Sequence, residues 1–171
     1  MLGFDVTVDG NEFHVDTGRT PIVTETEDCY GWEFDTDGNT EGWYSYDTVL
    51  HCVNGNLCVE DPTHFDMHIF PPAVSIDSSI YKKLAVGIYV DPEIVKGHYF
   101  QMFFKAGKQS LDEAKSYKHR YDTSVMSKDK LYEFEIDLTQ NENWYGIIND
   151  LRVDICNKEV ECKIDYIRFL K

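Results

Sequence analysis

A carboxylate sits where a hydrophobic core should be. The segment Ile164-Asp165-Tyr166-Ile167-Arg168-Phe169 reads as a strand, and period-two alternation predicts Asp165 on the same sheet face as Ile167 and Phe169. An uncompensated buried charge is costly, so Asp165 there needs a metal ion, an arginine or backbone N–H donors. The acidic turn Phe34-Asp35-Thr36-Asp37-Gly38-Asn39-Thr40-Glu41-Gly42-Trp43 brackets the chain from its other end and can complete such a site.

A second constellation mixes rings with polar groups. Leu84, Val86, Ile88 and Val90 alternate with Ala85, Gly87, Tyr89 and Asp91, and His98, Phe100, Met102 and Phe104 alternate with Tyr99, Gln101, Phe103 and Lys105. Leu151, Val153 and Ile155 likewise alternate with Arg152 and Asp154. With these strands in one sheet, its outer face carries Tyr89, Tyr99, Gln101, Phe103, Lys105, Arg152 and Asp154. Flat rings stack on the apolar C–H face of a pyranose, and amide, guanidinium and carboxylate groups hydrogen-bond its hydroxyls. The competing reading is that a loop or a neighbouring domain covers these rings.

Other residues offer less. Cys52-x5-Cys58-x5-His64-x3-His68 presents two sulfurs and two imidazoles, but structural zinc favours closer cysteines and a helix presenting the histidines. Cys52 and Cys58 flank the Asn54-Gly55 hairpin, and Cys156 and Cys162 flank another turn. Each pair is compatible with a disulfide or with free thiols, and Cys29 is left over. The 31 acidic residues make a pair of glycosidase-like carboxylates cheap to imagine. No Gly-x-Ser-x-Gly elbow, phosphate-cradling loop or His-Glu-x-x-His identifies a nucleophile or an activated water.

The elements that position these groups read as all-β. From Trp32 onward, short apolar runs alternate with turn chemistry, Asn54-Gly55 marks a hairpin, and Pro71-Pro72 and Pro92 punctuate connections. About ten strands with regularly spaced turns predict a two-sheet antiparallel β-sandwich, a jelly roll. Residues 1–30 differ: Val6 to Val15 resembles one polar hairpin and Thr24 to Asp28 an acidic tether, so they form a leader or extra hairpin before a sandwich over 31–171.

The 171 residues, 42% hydrophobic and 14% aromatic, suit one core. A net charge of −15 argues against nucleic acid and anionic membranes, because only Lys115 to Arg120 is basic and it is interrupted by Tyr117. No apolar run is long enough to insert in a membrane, and no signal peptide is apparent. An export signal elsewhere in a longer parent protein accommodates that.

These residues together resemble a family. The acidic turn with Trp43, then Val53-Asn54-Gly55-Asn56-Leu57, Asp61-Pro62, Ile76-Asp77, Trp144-Tyr145-Gly146 through Asp154 and Ile164 to Phe169 are similar to the carbohydrate-binding-module-like (galactose-binding-like) jelly rolls of bacterial surface and polysaccharide-degrading proteins. The resemblance covers about residues 32–171 in order. It implies a monomeric, non-catalytic carbohydrate-binding appendage, linked to other domains of an extracellular or cell-surface protein. It also implies a structural calcium ion near the first and last strands, with Asp165 and Glu33, Asp35 or Asp37 supplying carboxylates, and Trp43 and Trp144 as packing residues. Asp37-Gly38-Asn39 does not open an EF-hand, because the remaining loop positions and flanking helices are missing. Two other readings stand beside sugar binding: a spacer or adhesive module of a cell-surface or phage-tail assembly, and a jelly-roll glycan hydrolase or lyase.

Overall fold

The computed structural model describes residues 5–9, 12–16, 21–62 and 67–171. In chain order the strands are β1 (Asp5–Asp9), β2 (Glu12–Asp16), β3 (Thr24–Glu25), β4 (Cys29–Trp32), β5 (Val49–Cys52), β6 (Leu57–Glu60) and β7 (His68–Ile69). They continue with β8 (Ile76–Asp77), β9 (Lys83–Val90), β10 (Tyr99–Ala106), β11 (Ser116–Arg120), β12 (Tyr132–Asp137), β13 (Ile147–Asp154) and β14 (Cys162–Leu170). One short α-helix, α1 (Pro92–Val95), begins at Pro92, where the sequence indicated only a connection, with the Asp91 carboxylate accepting from the Glu93 N–H at 3.0 Å. No helix among the described residues is long and apolar enough to cross a membrane.

The expected all-β, two-sheet antiparallel sandwich is what the chain forms. A seven-stranded sheet runs β12-β9-β14-β4-β3, with β6 and β5 continuing from β14. A five-stranded sheet runs β11-β10-β13-β7, with β8 also on β13. Every strand pair is antiparallel. β1 and β2 pair only with each other, Val8 opposite Phe13. β3 and β4 belong to the sandwich, so its sheet begins at Thr24.

Alternation decides the core. Leu84, Val86, Ile88, Phe100, Met102, Phe104, Leu151 and Val153 turn inward from facing sheets and are buried. Each such large apolar side chain contributes about 1.5–3 kcal/mol on burial. Trp43 is fully buried and meets Trp32 edge-on at 5.0 Å. Trp144 stacks on Phe169 at 5.9 Å and donates its indole N–H to the Tyr81 carbonyl at 3.1 Å. Both tryptophans are packing residues.

Backbone detail corrects one local reading and decides a second that was open. Ile164 stands opposite Ile88 but Tyr166 stands opposite Gly87, so Asp165 is the extra residue of a β-bulge. The bulge resets the alternation: Ile164, Ile167 and Phe169 are core, whereas Asp165 is only half-buried. The open reading concerns cysteine. Val53 and Asn56 exchange backbone hydrogen bonds at 3.0 and 3.2 Å, and Asn54 and Gly55 have φ of 52° and 70°, the geometry of a two-residue type I′ turn. Cys52 therefore pairs with Leu57, and Cys58 pairs with His51. Cys52 joins the core while Cys58 takes the other face, which bars a disulfide between them. All five cysteines are free thiols, and burial pushes the Cys52 thiol up to about 12.

The close approach of β4 to β14 depends on Gly31. A Cβ there would lie 2.2 Å from the Ile167 carbonyl oxygen, and neither backbone can yield without breaking the ladder. Gly31→Ala is expected to cost at least about 1–3 kcal/mol, measured as a lower urea midpoint; an unchanged midpoint would show that this approach is not needed.

Candidate functional site

Directly opposed residues of antiparallel strands share a face, so the outer face of the five-stranded sheet can be built row by row. Gln101 on β10 stands opposite Asp154 on β13, which stands opposite His68 on β7. Phe103 stands opposite Arg152, and Lys105 opposite Asp150. Past β7, Phe70 forms a bridge with Tyr44, extending the face by one more row. Three inter-strand spacings of about 4.8 Å make this face ~14 Å wide from β10 to Tyr44.

Its centre is a preorganised polar patch. Arg152 donates to Asp154 from Nε at 2.8 Å and from Nη2 at 2.7 Å, a bidentate pair. The same guanidinium lies 4.8 Å above the Phe103 ring, a cation–π contact that fixes its plane. The Gln101 amide donates to Glu113 at 3.1 Å and to Ser116 at 2.9 Å. Lys118 bonds Glu113 at 3.0 Å and holds its carboxyl below the ordinary range; it also sits 4.7 Å above the Tyr99 ring. Asn157 donates to the Tyr99 hydroxyl at 2.9 Å. Together Tyr99, Gln101, Phe103, Arg152, Asp154 and Asn157 line a cavity of about 320 Å³.

The predicted residues take unequal places around it. Gln101, Phe103 and Asp154 are 4%, 7% and 8% exposed, so they form the floor, and Phe103 lies beneath Arg152 rather than open to a ligand. Tyr99 and Arg152 form the walls. Lys105 is on the same face but is paired with Asp150 at 2.8 Å. Tyr89 does not join them. Its strand belongs to the other sheet, where Tyr89 stands opposite Lys163 and lines a separate cavity. Alternation within a strand assigned its face correctly, but it carries no information on which sheet that strand enters.

The aromatic cluster at the edge of this face, with Tyr46 exposed and Tyr44 and Phe70 half-buried, escaped the sequence reading. Tyr46 is 82% exposed; Tyr44 stacks on Phe70 at 5.2 Å, and Tyr46 meets Tyr44 at 5.6 Å and Phe70 at 6.1 Å. His68 packs edge-on against Phe70 at 5.5 Å, with its Nε2 3.4 Å from Asp47. A signal was present: with Trp43 inward, alternation turns Tyr44 and Tyr46 outward. His64 of the Cys52–His68 spacing lies outside the described residues.

Two of the bracket's four candidate carboxylates, Glu33 and Asp37, are engaged by the protein itself. β4 and β14 are neighbours, Trp32 opposite Ile167, so the two ends of the bracket do meet. There Arg168 donates from Nε to Glu33 at 2.7 Å, with Nη2 on the second oxygen, and its guanidinium lies 3.9 Å above the Tyr166 ring. Asp37 accepts the Asn54 N–H at 2.7 Å, and Asp35 is exposed. Burial raises the Asp165 carboxyl, against the lowering effect of nearby Arg168. Calcium takes six to eight oxygens, and among the described residues Glu33, Asp35, Asp37 and Asp165 do not gather their oxygens into one group. They do not fit a calcium cage. Arginine is what Glu33 has met.

No family model matches the chain, and no curated protein matches it. Among solved structures it is similar to a low affinity xylan binding module, CBM86, from the xylanolytic gut symbiont Roseburia intestinalis, at 12% identity and a TM-score of 0.46 over 75% of this chain and 94% of that one.

Two outcomes follow from the bracket. Stability tied to a protonated Asp165 is present below the ordinary carboxylate range and is lost as pH rises through its raised folded-state value. Asp165→Asn should therefore raise the melting temperature at neutral pH, with the gain shrinking as pH falls through the carboxylate range; an equal gain at every pH would reject the assignment. Adding millimolar calcium to chelator-treated protein should leave the melting temperature unchanged, whereas a rise would reinstate an ion.

Proposed function

We propose that the chain binds carbohydrate without catalysis, on the outer face of the five-stranded sheet, as an accessory module of a larger extracellular or cell-surface protein. The observation that carries this reading is the pairing of an aromatic cluster, capped by the exposed Tyr46 ring, with a fixed polar patch on one face. Tyr46, Tyr44 and Phe70 offer flat apolar surfaces at its edge, and Tyr99, Gln101, Arg152, Asp154 and Glu113 offer a ring, an amide, a guanidinium and carboxylates across its middle. Saccharides have the matching chemistry: apolar C–H faces and hydroxyls that both donate and accept. A chain of sugars laid across ~14 Å of sheet touches both parts.

Rigidity supports the same reading. The bidentate Arg152–Asp154 pair and the Phe103 ring beneath it hold the guanidinium in place before any ligand arrives, which lowers the entropy lost on binding.

The test is a glycan array followed by calorimetry on any positive polysaccharide, with a turnover assay on the same material. Tyr46→Ala and Tyr44→Ala are each expected to weaken binding by about 1–3 kcal/mol, the usual range for aromatic anchors. Full affinity in the double variant would remove this face. Release of shorter sugars would make the chain an enzyme, and silence on every glycan would favour the spacer role.

A further inference from the structure

We propose that His51, Cys58 and Glu60 form a binding site for a divalent transition-metal ion of the zinc class, on the outer surface of the β5–β6 hairpin. The type I′ turn sets the register: His51 stands directly opposite Cys58, and Glu60 lies two residues further along the same strand. Both relations place side chains on one face. The result is an imidazole nitrogen, a thiol sulfur and a carboxylate oxygen all within 4.8 Å of one another. No other such group stands among the described residues.

The distances suit a small tetrahedral ion. Zinc–nitrogen, –oxygen and –sulfur bonds of about 2.0–2.3 Å place ligand atoms roughly 3.3–3.8 Å apart. His51 Nε2 and Glu60 Oε1 are already 3.8 Å apart. Cys58 is buried and fixes the floor, whereas the His51 and Glu60 side chains are 41% and 50% exposed and can close the remaining gap by rotation. The mixed nitrogen, sulfur and oxygen set selects zinc-class ions over calcium and magnesium, which take oxygen ligands. Binding converts the Cys58 thiol to a metal-bound thiolate and releases its proton to water, so thiolate and carboxylate balance the two positive charges.

Three protein ligands leave the fourth tetrahedral position open. Glu60 also borders a cavity of about 490 Å³, together with Asn56, Tyr89, Asp91 and Lys163. Of the three ligand residues, Glu60 alone lines that cavity. Lys163 stands opposite Cys58 on β14, and its ammonium is at the end of a long flexible stem that can swing toward the cavity as the ion enters.

The site is tested by titrating the chelator-treated full chain with cobalt, which reports tetrahedral sulfur coordination by its colour. One equivalent should develop a sulfur-to-cobalt charge-transfer band with tetrahedral visible bands, and zinc should displace it. Cys58→Ser should abolish the charge-transfer band, while Cys52→Ser, on the core face of the same hairpin, should keep it. His51→Ala and Glu60→Gln remove half-exposed groups and should leave the fold intact by thermal melt. Each should weaken cobalt binding by at least about tenfold, a size that even losses beyond the ligands themselves reach. No stoichiometric band, a band that survives Cys58→Ser, or unchanged affinity in both His51→Ala and Glu60→Gln would overturn the proposal.

Discussion

β14 is the strand on which the sandwich hangs. β9 lies along one edge of it, and β6 and β4 share the other, β6 beside Cys162 to Ile164 and β4 beside Ile167 to Leu170. Three separate stretches of chain are thus ordered by one ladder. Because side-chain parity along β14 is set by that pairing, a slip of one residue would turn Ile164, Ile167 and Phe169 out of the core. The Asp165 bulge lets the strand satisfy neighbours on both edges while keeping those three side chains inside. Gly31 lets β4 come close enough to pair, and the Glu33–Arg168 bridge closes the outer side of the same junction.

The two faces of the molecule use polarity differently. On the five-stranded sheet, charged groups are paired within the protein before any ligand is present: Arg152 with Asp154, Lys105 with Asp150, Lys118 with Glu113. A surface so arranged offers directed hydrogen bonds without a large net field, which suits neutral hydroxyls better than ions. On the hairpin of β5 and β6, an imidazole, a thiol and a carboxylate converge with only a long 3.8 Å contact between His51 and Glu60, and that is chemistry suited to a cation.

Much of this was legible in the sequence, because it was local. Period-two alternation placed Phe100, Met102, Phe104, Leu151 and Val153 inside, and Asn54-Gly55 announced its hairpin. Alternation also put Gln101, Arg152 and Asp154 on one outer face, where the structure gathers them. What failed was non-local. Nothing in residues 83–91 says that their strand pairs with β12 and β14 rather than with β10, so Tyr89 went to the wrong face of the molecule. A bulge is likewise invisible until a strand has partners, which is why Asp165 was expected inside. The two cysteines of the hairpin turned on a single residue of loop length: a three-residue loop opposes Cys52 and Cys58, and the two-residue turn separates them.

The Glu33–Arg168 bridge joins residues 135 positions apart, and β4, which Glu33 directly follows, pairs side by side with β14, which carries Arg168. Closing so long a loop costs conformational entropy before any contact repays it, and folds dominated by such distant pairings assemble slowly. While a ribosome is still making the chain, β4 and β9 must wait with their hydrogen-bonding edges uncovered until β14 emerges. Abundant negative charge, −15 over the whole sequence, keeps waiting chains apart by mutual repulsion. The acidity of this protein thus serves the interval before it is a protein at all, when an unfilled slot in a sheet is an invitation to the wrong neighbour.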